Sequence, residues 1–232
     1  MHVHLLGSGA VVCLVCCFSM PCGAVDPGDL DVGFSGDGLA VFRVGSDDDH
    51  GFAIAVQSDD KVVVAGSQLD GDEDFALIRL TSAGALDTTF SVDGRATATF
   101  LGGDDRAFAV AVQADGKIVS AGFATPAGNA DFAVARHTAG GVLDTGFHND
   151  GRVTTLIGAG DDVGRALAIQ SDGKILVAGY SWNGSDDDFA LVRYASDGSL
   201  DAGVGALDGD GKLTTDFAGA DDRAMAIAVQ PD

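Results

Sequence analysis

Apolar residues along this chain form short runs that are separated by turns rich in Asp and Gly, and one such group recurs. Its fullest copy spans residues 168–180, where two apolar runs flank a Ser-Asp-Gly-Lys turn. Asp-Gly between alternating apolar residues is the strongest short-range signal for a β-hairpin, and it predicts a two-residue type I′ turn with positive φ at both centres. Further copies lie around Gln57 and Gln113, and another begins at Ala228. The pattern therefore predicts a repeated hairpin.

Two landmarks give the period of this repetition. A Leu-Asp pair recurs at spacings of 56, 57 and 57 residues, and the hairpin Gln recurs at spacings of 56, 57 and 60. The longer last spacing comes from a three-residue insertion between Leu200 and Asp210. A fixed period of this length indicates repeat architecture. From residue 25 onward, the predicted units are about 30–85, 86–142 and 143–199, with a partial unit over 200–232.

Each unit contains four strand-like segments. In the second unit they are a short Thr-rich run over 94–100 and three apolar runs over 107–112, 118–123 and 132–136. The connections between them are short, except for a link of roughly 14 residues from the fourth segment to the next Thr-rich run, which is long for an internal hairpin. This link carries the Leu-Asp pair, and we expect it to join one unit to the next.

The alternation of side chains within the second segment predicts how the units pack. Ala107, Ala109 and Ala111 alternate with larger apolar residues, so neither face of the strand is polar. A strand covered on both faces suits sheets stacked face to face, which is the arrangement of β-propeller blades. A β-helix uses shorter repeats and a sandwich needs no fixed period. The predicted fold is an all-β β-propeller of four-stranded antiparallel blades, three complete and a fourth partial.

Three and a half blades do not close a ring, since propellers have four to eight. The last unit stops at Asp232, inside its hairpin. We therefore expect the chain to be a fragment of a longer protein or to close only by self-association through an open blade edge.

The order of the motifs resembles a known family. The recurring motifs are Leu-Asp-x-x-Phe, Asp-Gly-Arg, Ala-x-Gln-x-Asp-Gly-Lys-Ile-x-x-Ala-Gly and Asp-Phe-Ala-Leu-x-Arg-Tyr. Together they resemble the delta-60 repeat, a bacterial β-propeller repeat of unknown function, over residues 29–232. Asp60 departs from the motif at the turn Gly, and Val204 departs from it at the Phe. Because Asp is tolerated in the left-handed region, the first hairpin is expected to form but to be weaker. The resemblance implies a repeat platform in exported bacterial proteins and transfers no catalytic residue.

Charge and the N-terminal segment limit the partners and the location. The formal net charge is −22, with 35 acidic residues against 13 Lys and Arg, which disfavours nucleic acid and anionic membranes as partners. Residues 1–24 are predicted to be a signal peptide, because an apolar run over 5–20 is too short to span a membrane and is followed by small residues. All four Cys lie in this segment. The mature protein is expected to be secreted, periplasmic or at the cell surface.

The most distinctive polar feature is a pair of adjacent Asp residues eight and nine positions before each hairpin Gln. These loops should share one strongly negative rim with the loops that hold residues 70–74 and 186–188. The pattern has two interpretations, namely turn capping by Asp side chains and a calcium site, since calcium binds six to eight oxygens. Capping is favoured, because the EF-hand spacing fails after Asp74. The pairs are Asp48-Asp49, Asp104-Asp105, Asp161-Asp162 and Asp221-Asp222.

The remaining candidates are cationic or aromatic. Arg79, Arg136 and Arg193 recur at 57-residue spacing, which indicates pairing with the Asp of Leu-Asp rather than a ring around an anion. The three His outside the signal segment are each expected at the surface or rim. Trp182 is either a ligand-facing aromatic or packed on a neighbouring loop. No catalytic, cofactor-binding or metal-binding residue is predicted, because nucleophile and metal motifs are lacking. The His residues are His50, His137 and His148.

These features favour an exported, non-enzymatic module that binds or supports a larger surface or secreted protein. Its predicted ligand is a protein or a carbohydrate, and no cofactor is predicted unless the Asp-rich loops bind calcium. The alternatives are a calcium-stabilised adhesive array and a propeller hydrolase or lyase. An enzyme would require unrepeated polar residues converging on the central channel.

Overall fold

The computed structural model describes residues 29–100, 102–126, 128–203 and 207–230. The predicted signal peptide and the substituted Val204 lie outside them. The described residues form β-strands and no helix, and so contain no helix of the length and hydrophobicity that a bilayer crossing requires. In chain order the strands are β1 Asp49–Val56, β2 Val62–Asp70, β3 Asp72–Leu80, β4 Arg95–Ala98, β5 Arg106–Val112, β6 Ile118–Ala124, β7 Asp131–His137, β8 Arg152–Thr155, β9 Asp162–Ile169, β10 Ile175–Trp182, β11 Asp187–Tyr194 and β12 Lys212–Thr215.

The strands form three open, antiparallel, four-stranded sheets. Their orders are β1-β2-β3-β4, β5-β6-β7-β8 and β9-β10-β11-β12. Each sheet is thus a meander of neighbouring strands, and residues 216–230 begin a further unit beyond β12. This arrangement confirms the predicted blades, three complete and a fourth partial.

The expected division of the chain into blades was wrong in one respect. The link between Leu80 and Arg95 does not join two blades, because β4 pairs with β3 in the same sheet. The register runs from Phe75 opposite Ala98 to Ile78 opposite Arg95. The Thr-rich run is therefore the last strand of the preceding blade, and the short loop that contains the paired Asp connects the blades. A repeat reads the same from any starting point, so its period alone does not determine where a sheet begins.

The hairpin turn also differs from the predicted type. Only its last residue has positive φ, at 62° for Asp60, 82° for Gly116 and 84° for Gly173. The backbone N–H of Gln57 donates to Lys61 O at 2.8 Å, which leaves a three-residue loop rather than a type I′ turn. Asp60 adopts the same conformation as the two Gly residues, which confirms that the first hairpin forms.

Apolar faces of successive sheets form the core. Val63, Phe75 and Leu77 of the first sheet pack against Ala107, Ala133 and Ile118 of the second, and all six are buried. A similar cluster lies between the second and third sheets. Large side chains thus meet small ones across each junction, as the alternation predicts. The other face of the first sheet is covered by a chain segment that contains Phe34, Ala40 and Phe42.

The Phe of Leu-Asp-x-x-Phe joins neighbouring blades at the end of the sheets where the hairpin turns lie. Phe90 is 0% exposed, and a Cβ added to Gly141 of the next blade would lie 2.9 Å from its ring. The backbone N–H of Ser91 donates to Gly140 O at 2.8 Å. Phe147 makes the same contact with Gly198 of the third blade. This motif is therefore a blade-to-blade contact that repeats along the chain.

Candidate functional site

In every sheet the pairing between the first two strands is interrupted at one residue. In the first sheet Gly51 pairs with Gly66 and Ala53 with Ala65, which leaves Phe52 unpaired in a β-bulge. The same bulge leaves Phe108 and Arg165 unpaired in the other sheets. We call Phe52, Phe108 and Arg165 the bulge row. A bulge re-aims a side chain and is enriched next to functional sites.

The Gly of the Ala-Gly motif makes this bulge possible. A Cβ at Gly66 would overlap the carbonyl oxygen of His50, and Gly122 and Gly179 face equivalent oxygens in the other sheets. Since only Gly has no Cβ, the close approach of the two backbones requires Gly at this position. The motif is thus explained by the bulge that it accommodates.

The bulge row forms a continuous layer of rings and a guanidinium. The ring centroids of Phe52 and Phe108 are 5.0 Å apart, in an edge-on arrangement. The guanidinium carbon of Arg165 lies 4.2 Å from the centroid of Phe108, within the range of a cation–π contact. Phe52 is 44% exposed, and the exposed His50 stacks beside it at 5.9 Å. The layer therefore crosses all three sheets and remains partly open to solvent.

Two ion pairs lie beside the layer and join successive blades. Arg106 Nη2 donates to Glu73 Oε1 at 2.9 Å, between the first two sheets. Arg223 Nε donates to Asp187 Oδ2 at 2.6 Å, and its guanidinium carbon lies 4.8 Å from the ring centroid of Tyr180. Both guanidinium groups are thereby neutralised by a carboxylate of the preceding blade.

Sequence reasoning missed the bulge row, although a signal exists. Three residues after the second Asp of each pair the chain has Phe52, Phe108, Arg165 and Met225, whereas Ala recurs beside this position. Met225, the counterpart in the last unit, is 67% exposed. A variable residue within an otherwise repeated strand indicates that the scaffold does not determine its identity.

The paired Asp residues cap turns, as the favoured interpretation predicts. Asp105 Oδ2 accepts a hydrogen bond from the backbone N–H of Phe100 at 2.8 Å, and Asp162 Oδ2 accepts one from Ile157 at 2.6 Å. The first Asp of the pair contacts the preceding blade, since Asp104 Oδ1 accepts a hydrogen bond from Glu73 N at 3.2 Å. The two acidic loops therefore share one rim.

Burial of these carboxyl groups has an electrostatic consequence. Asp105 is 0% exposed, and burial raises its pKa to about 6. The hydrogen bonds that it accepts from the backbone N–H groups of Phe100 and Thr125 lower this pKa, but by less than burial raises it. Burial raises the pKa of Asp162 in the same way. Within the described ranges, no group of three or more His, Cys, Asp and Glu side chains is arranged to hold a metal ion.

The recurring Arg residues pair with the Asp of Leu-Asp, which confirms the structural interpretation. The Nε atoms of Arg79 and Arg136 lie 2.8 Å from Asp87 and Asp144. Lys61 also lies 3.3 Å from Asp87. Although burial raises the pKa of Asp87, hydrogen bonds from Thr89 and the charge of Arg79 outweigh it and hold this pKa below its usual value. Arg193 and Asp201 repeat the pair at 2.6 Å.

The His and Trp residues are placed as follows. His50 and His148 are exposed, as expected, but the prediction for His137 was wrong because it is 1% exposed at the end of β7. Its ring lies near the backbone of Thr97 in β4 of the first sheet, a contact between sheets that the sequence pattern did not reveal. Trp182 packs on the loop before β9, since a Cβ at Gly160 would overlap its indole ring, and it is 37% exposed.

Stacked antiparallel sheets joined by repeated contacts define the chain as a β-propeller repeat protein. A family model described as a domain of unknown function (DUF5122) beta-propeller matches residues 57–90, 113–147 and 170–203. The chain thus carries three β-propeller repeats of unknown function.

No curated protein sequence matches the chain. Among solved structures it is similar to native Bacillus subtilis arabinanase Arb43A, at 14% identity and a TM-score of 0.38, over 68% of this chain and 57% of that one. The chain therefore spans less than two thirds of that structure.

Proposed function

We propose that this protein is an exported, non-enzymatic binding module of the delta-60 type, and that its ligand binds at the bulge row. The observation that supports this most directly is that every sheet has the same bulge, which carries Phe in two sheets and Arg in the third. Repeated residues maintain the scaffold, whereas the residue in the bulge changes along the chain, from Phe52 to Arg165. A binding platform needs this division between scaffold and variable surface.

The chemistry of the row favours a carbohydrate ligand. An exposed ring such as Phe52 offers an apolar face to a sugar ring, and the adjacent His50 offers a hydrogen-bonding group. The side chains of the row are two apolar rings and one guanidinium, so none of its three members is a carboxylate or an imidazole for general acid–base work. Binding without turnover is therefore the function that these residues support best.

A panel of immobilised oligosaccharides tests the proposal. The mature chain is expected to bind at least one member, and Phe52→Ala is expected to weaken that binding about tenfold because a stacked ring is lost. Val142→Ala serves as the control, since Val142 is an exposed apolar residue, at 65%, outside the row. Equal binding by wild type and Phe52→Ala, or turnover of a bound oligosaccharide, would contradict the proposal.

Export is tested separately. The protein recovered outside the cytoplasm is expected to lack residues 1–24, which mass spectrometry detects directly. Retention of the intact chain inside the cell would exclude the exported location and leave the binding site unaffected.

A further inference from the structure

Arg165 occupies an unusual environment for a cation in this chain. Its guanidinium lies between two aromatic rings, with its central carbon 4.2 Å from the centroid of Phe108 and 5.6 Å from that of Tyr180. Its Nη2 donates a hydrogen bond to the Tyr180 hydroxyl at 3.4 Å. Its Nε is buried and has no hydrogen-bond partner among the residues that the structure describes. The group is therefore held in place by rings rather than by charge.

No carboxylate of the described residues lies within salt-bridge distance of Arg165. A shortage of acids does not explain this, since the chain has 35 Asp and Glu against 13 Lys and Arg. The neighbouring Arg106 and Arg223 are each bound to a carboxylate of the preceding blade. At the junction that Arg165 spans, the corresponding residues are Ala130 and Val163. This junction therefore leaves a guanidinium with N–H groups to donate.

The surroundings determine what such a guanidinium binds. Its planar N–H groups match a carboxylate, with which they form charge-assisted hydrogen bonds, and the Tyr180 hydroxyl adds a neutral partner. Beyond Phe108 lies the exposed ring of Phe52, at a centroid distance of 5.0 Å, which offers an apolar contact to a ring attached to that carboxylate. The net charge of −22 opposes ligands with many negative charges and tolerates a single one.

We infer that Arg165 and Tyr180 bind the carboxylate of a monoanionic, six-membered-ring ligand whose ring lies against Phe52. Two sources share this chemistry, an acidic sugar and an aromatic acid. The inference rests on the proposed function, since it assigns the ligand class of the same row.

A titration followed by NMR tests the assignment with defined probes. The probes are sodium glucuronate and sodium benzoate, each compared with a neutral counterpart, methyl glucoside and benzyl alcohol. The mature chain is expected to bind a carboxylate probe at least tenfold more tightly than its counterpart at low ionic strength, and the Nε–H resonance of Arg165 is expected to shift. The tighter of the two carboxylates identifies the source as sugar or aromatic acid.

The variant Arg165→Phe is well matched to this test. Phe is the residue that the first two sheets have at the bulge, so the fold is expected to accept it. The variant is expected to lose the preference for the carboxylate and to retain the binding of neutral rings. Arg152→Gln removes a guanidinium on an outer strand and is expected to change neither.

The outcomes separate this inference from the proposed function. Equal affinity for charged and neutral probes, or a carboxylate preference that persists in Arg165→Phe, overturns the assignment of Arg165 and leaves a neutral-ligand site at the row intact. Absence of binding by every probe, together with no binding dependent on Phe52 in the oligosaccharide panel, overturns both.

Discussion

His137 shows how one residue of a repeat departs from the scaffold role of its counterparts. It ends β7, where the other sheets have Leu80, which is 2% exposed, and Tyr194, whose hydroxyl donates to Thr155 Oγ1 at 2.7 Å. His137 is equally buried, but neither ring nitrogen has a hydrogen-bond partner of ordinary geometry among the described residues, and the contact of the ring with the Thr97 backbone does not offset burial. Burial therefore lowers the pKa of His137 to about 4, and the ring is neutral in the folded protein at neutral pH.

The pH dependence of stability should report this residue. Well above pH 6.5 the ring is neutral in both states and contributes no pH dependence. As the pH falls from 6.5 to about 4, the unfolded chain takes up a proton that the folded chain does not, so stability is lost, by about 3 kcal/mol at full displacement. His137→Leu is expected to remove this loss, as measured by the difference between urea unfolding curves of variant and wild type across that range.

The variant has to be compared with wild type at each pH because Asp105 changes the free energy of unfolding in the opposite direction. Its raised pKa, about 6, means that the folded protein takes up a proton before the unfolded one, so this group adds stability as the pH falls. The contribution of Asp105 is common to wild type and variant and cancels. Leu80→Val provides the control, since it changes packing at the equivalent position of the first sheet without removing a titratable group, so its curve should keep the pH dependence of wild type. If stability depended on pH in the same way in His137→Leu and in wild type, His137 would not titrate as described.

At the scale of elements, the junctions between sheets alternate between charged and apolar pairs. The first junction has Glu73 with Arg106, whereas the second has Ala130 with Val163, and both residues of that second pair are 6% exposed. The third junction returns to Asp187 with Arg223. The pairs change together, which keeps a charge from facing an apolar neighbour across a junction.

A double-mutant cycle measures this matching. The coupling free energy between Glu73→Ala and Arg106→Val is expected to be about 0.5–1 kcal/mol, since the Arg106 side chain is partly exposed. Val163→Arg alone is expected to destabilise the fold by about 1–3 kcal/mol, because the charge is placed at a buried apolar junction. Adding Ala130→Glu should recover part of that loss. Urea unfolding provides all four free energies for each cycle.

Positions 73 and 163 supply the reference for this experiment. They belong to different junctions, so their variants should be additive within about 0.5 kcal/mol. Coupling at 73 and 163 as large as that at 73 and 106 would show that the effects spread through the whole stack rather than across one junction.

For the whole molecule, the last described segment lacks a neighbouring strand. Residues 222–224 lie against the third sheet, where Ala224 N donates to Gly179 O at 3.1 Å, but no strand of the described residues pairs with residues 222–230. An unpaired extended segment is a template for another strand. We propose that this edge accepts a strand from a second molecule, and the chain of 232 residues is then expected to show an apparent mass in light scattering that rises with concentration.

A single substitution tests the role of the edge. Ala226→Pro removes a backbone donor in the segment and is expected to lower the association, whereas Ala226→Ser keeps the donor and should not. Ala226 is exposed, so neither change disturbs the core. An association unchanged by the Pro substitution would exclude this edge as the interface.

The blade was predictable from the sequence because its causes are local. Asp-Gly turns, apolar alternation and a fixed period each depend on residues close in the chain, and together they predicted the hairpins, the antiparallel sheets and their stacking. The pairing of Arg79 with Asp87 was predictable for the same reason, since eight residues separate them. The capping role of Asp105 also follows from its turn.

Tertiary structure alone decided the rest. A periodic sequence has no marked starting point, so only strand pairing showed that the Thr-rich run completes the preceding blade. The bulge depends on the close approach of two strands, Gly66 against the backbone of His50, and the recurring Gly and the variable residue mark it in the sequence without showing that the two meet. The bulge row and the burial of His137 arise from neighbouring sheets, tens of residues away in the chain. These contacts exist only once the blades are stacked, and they are where the candidate site lies.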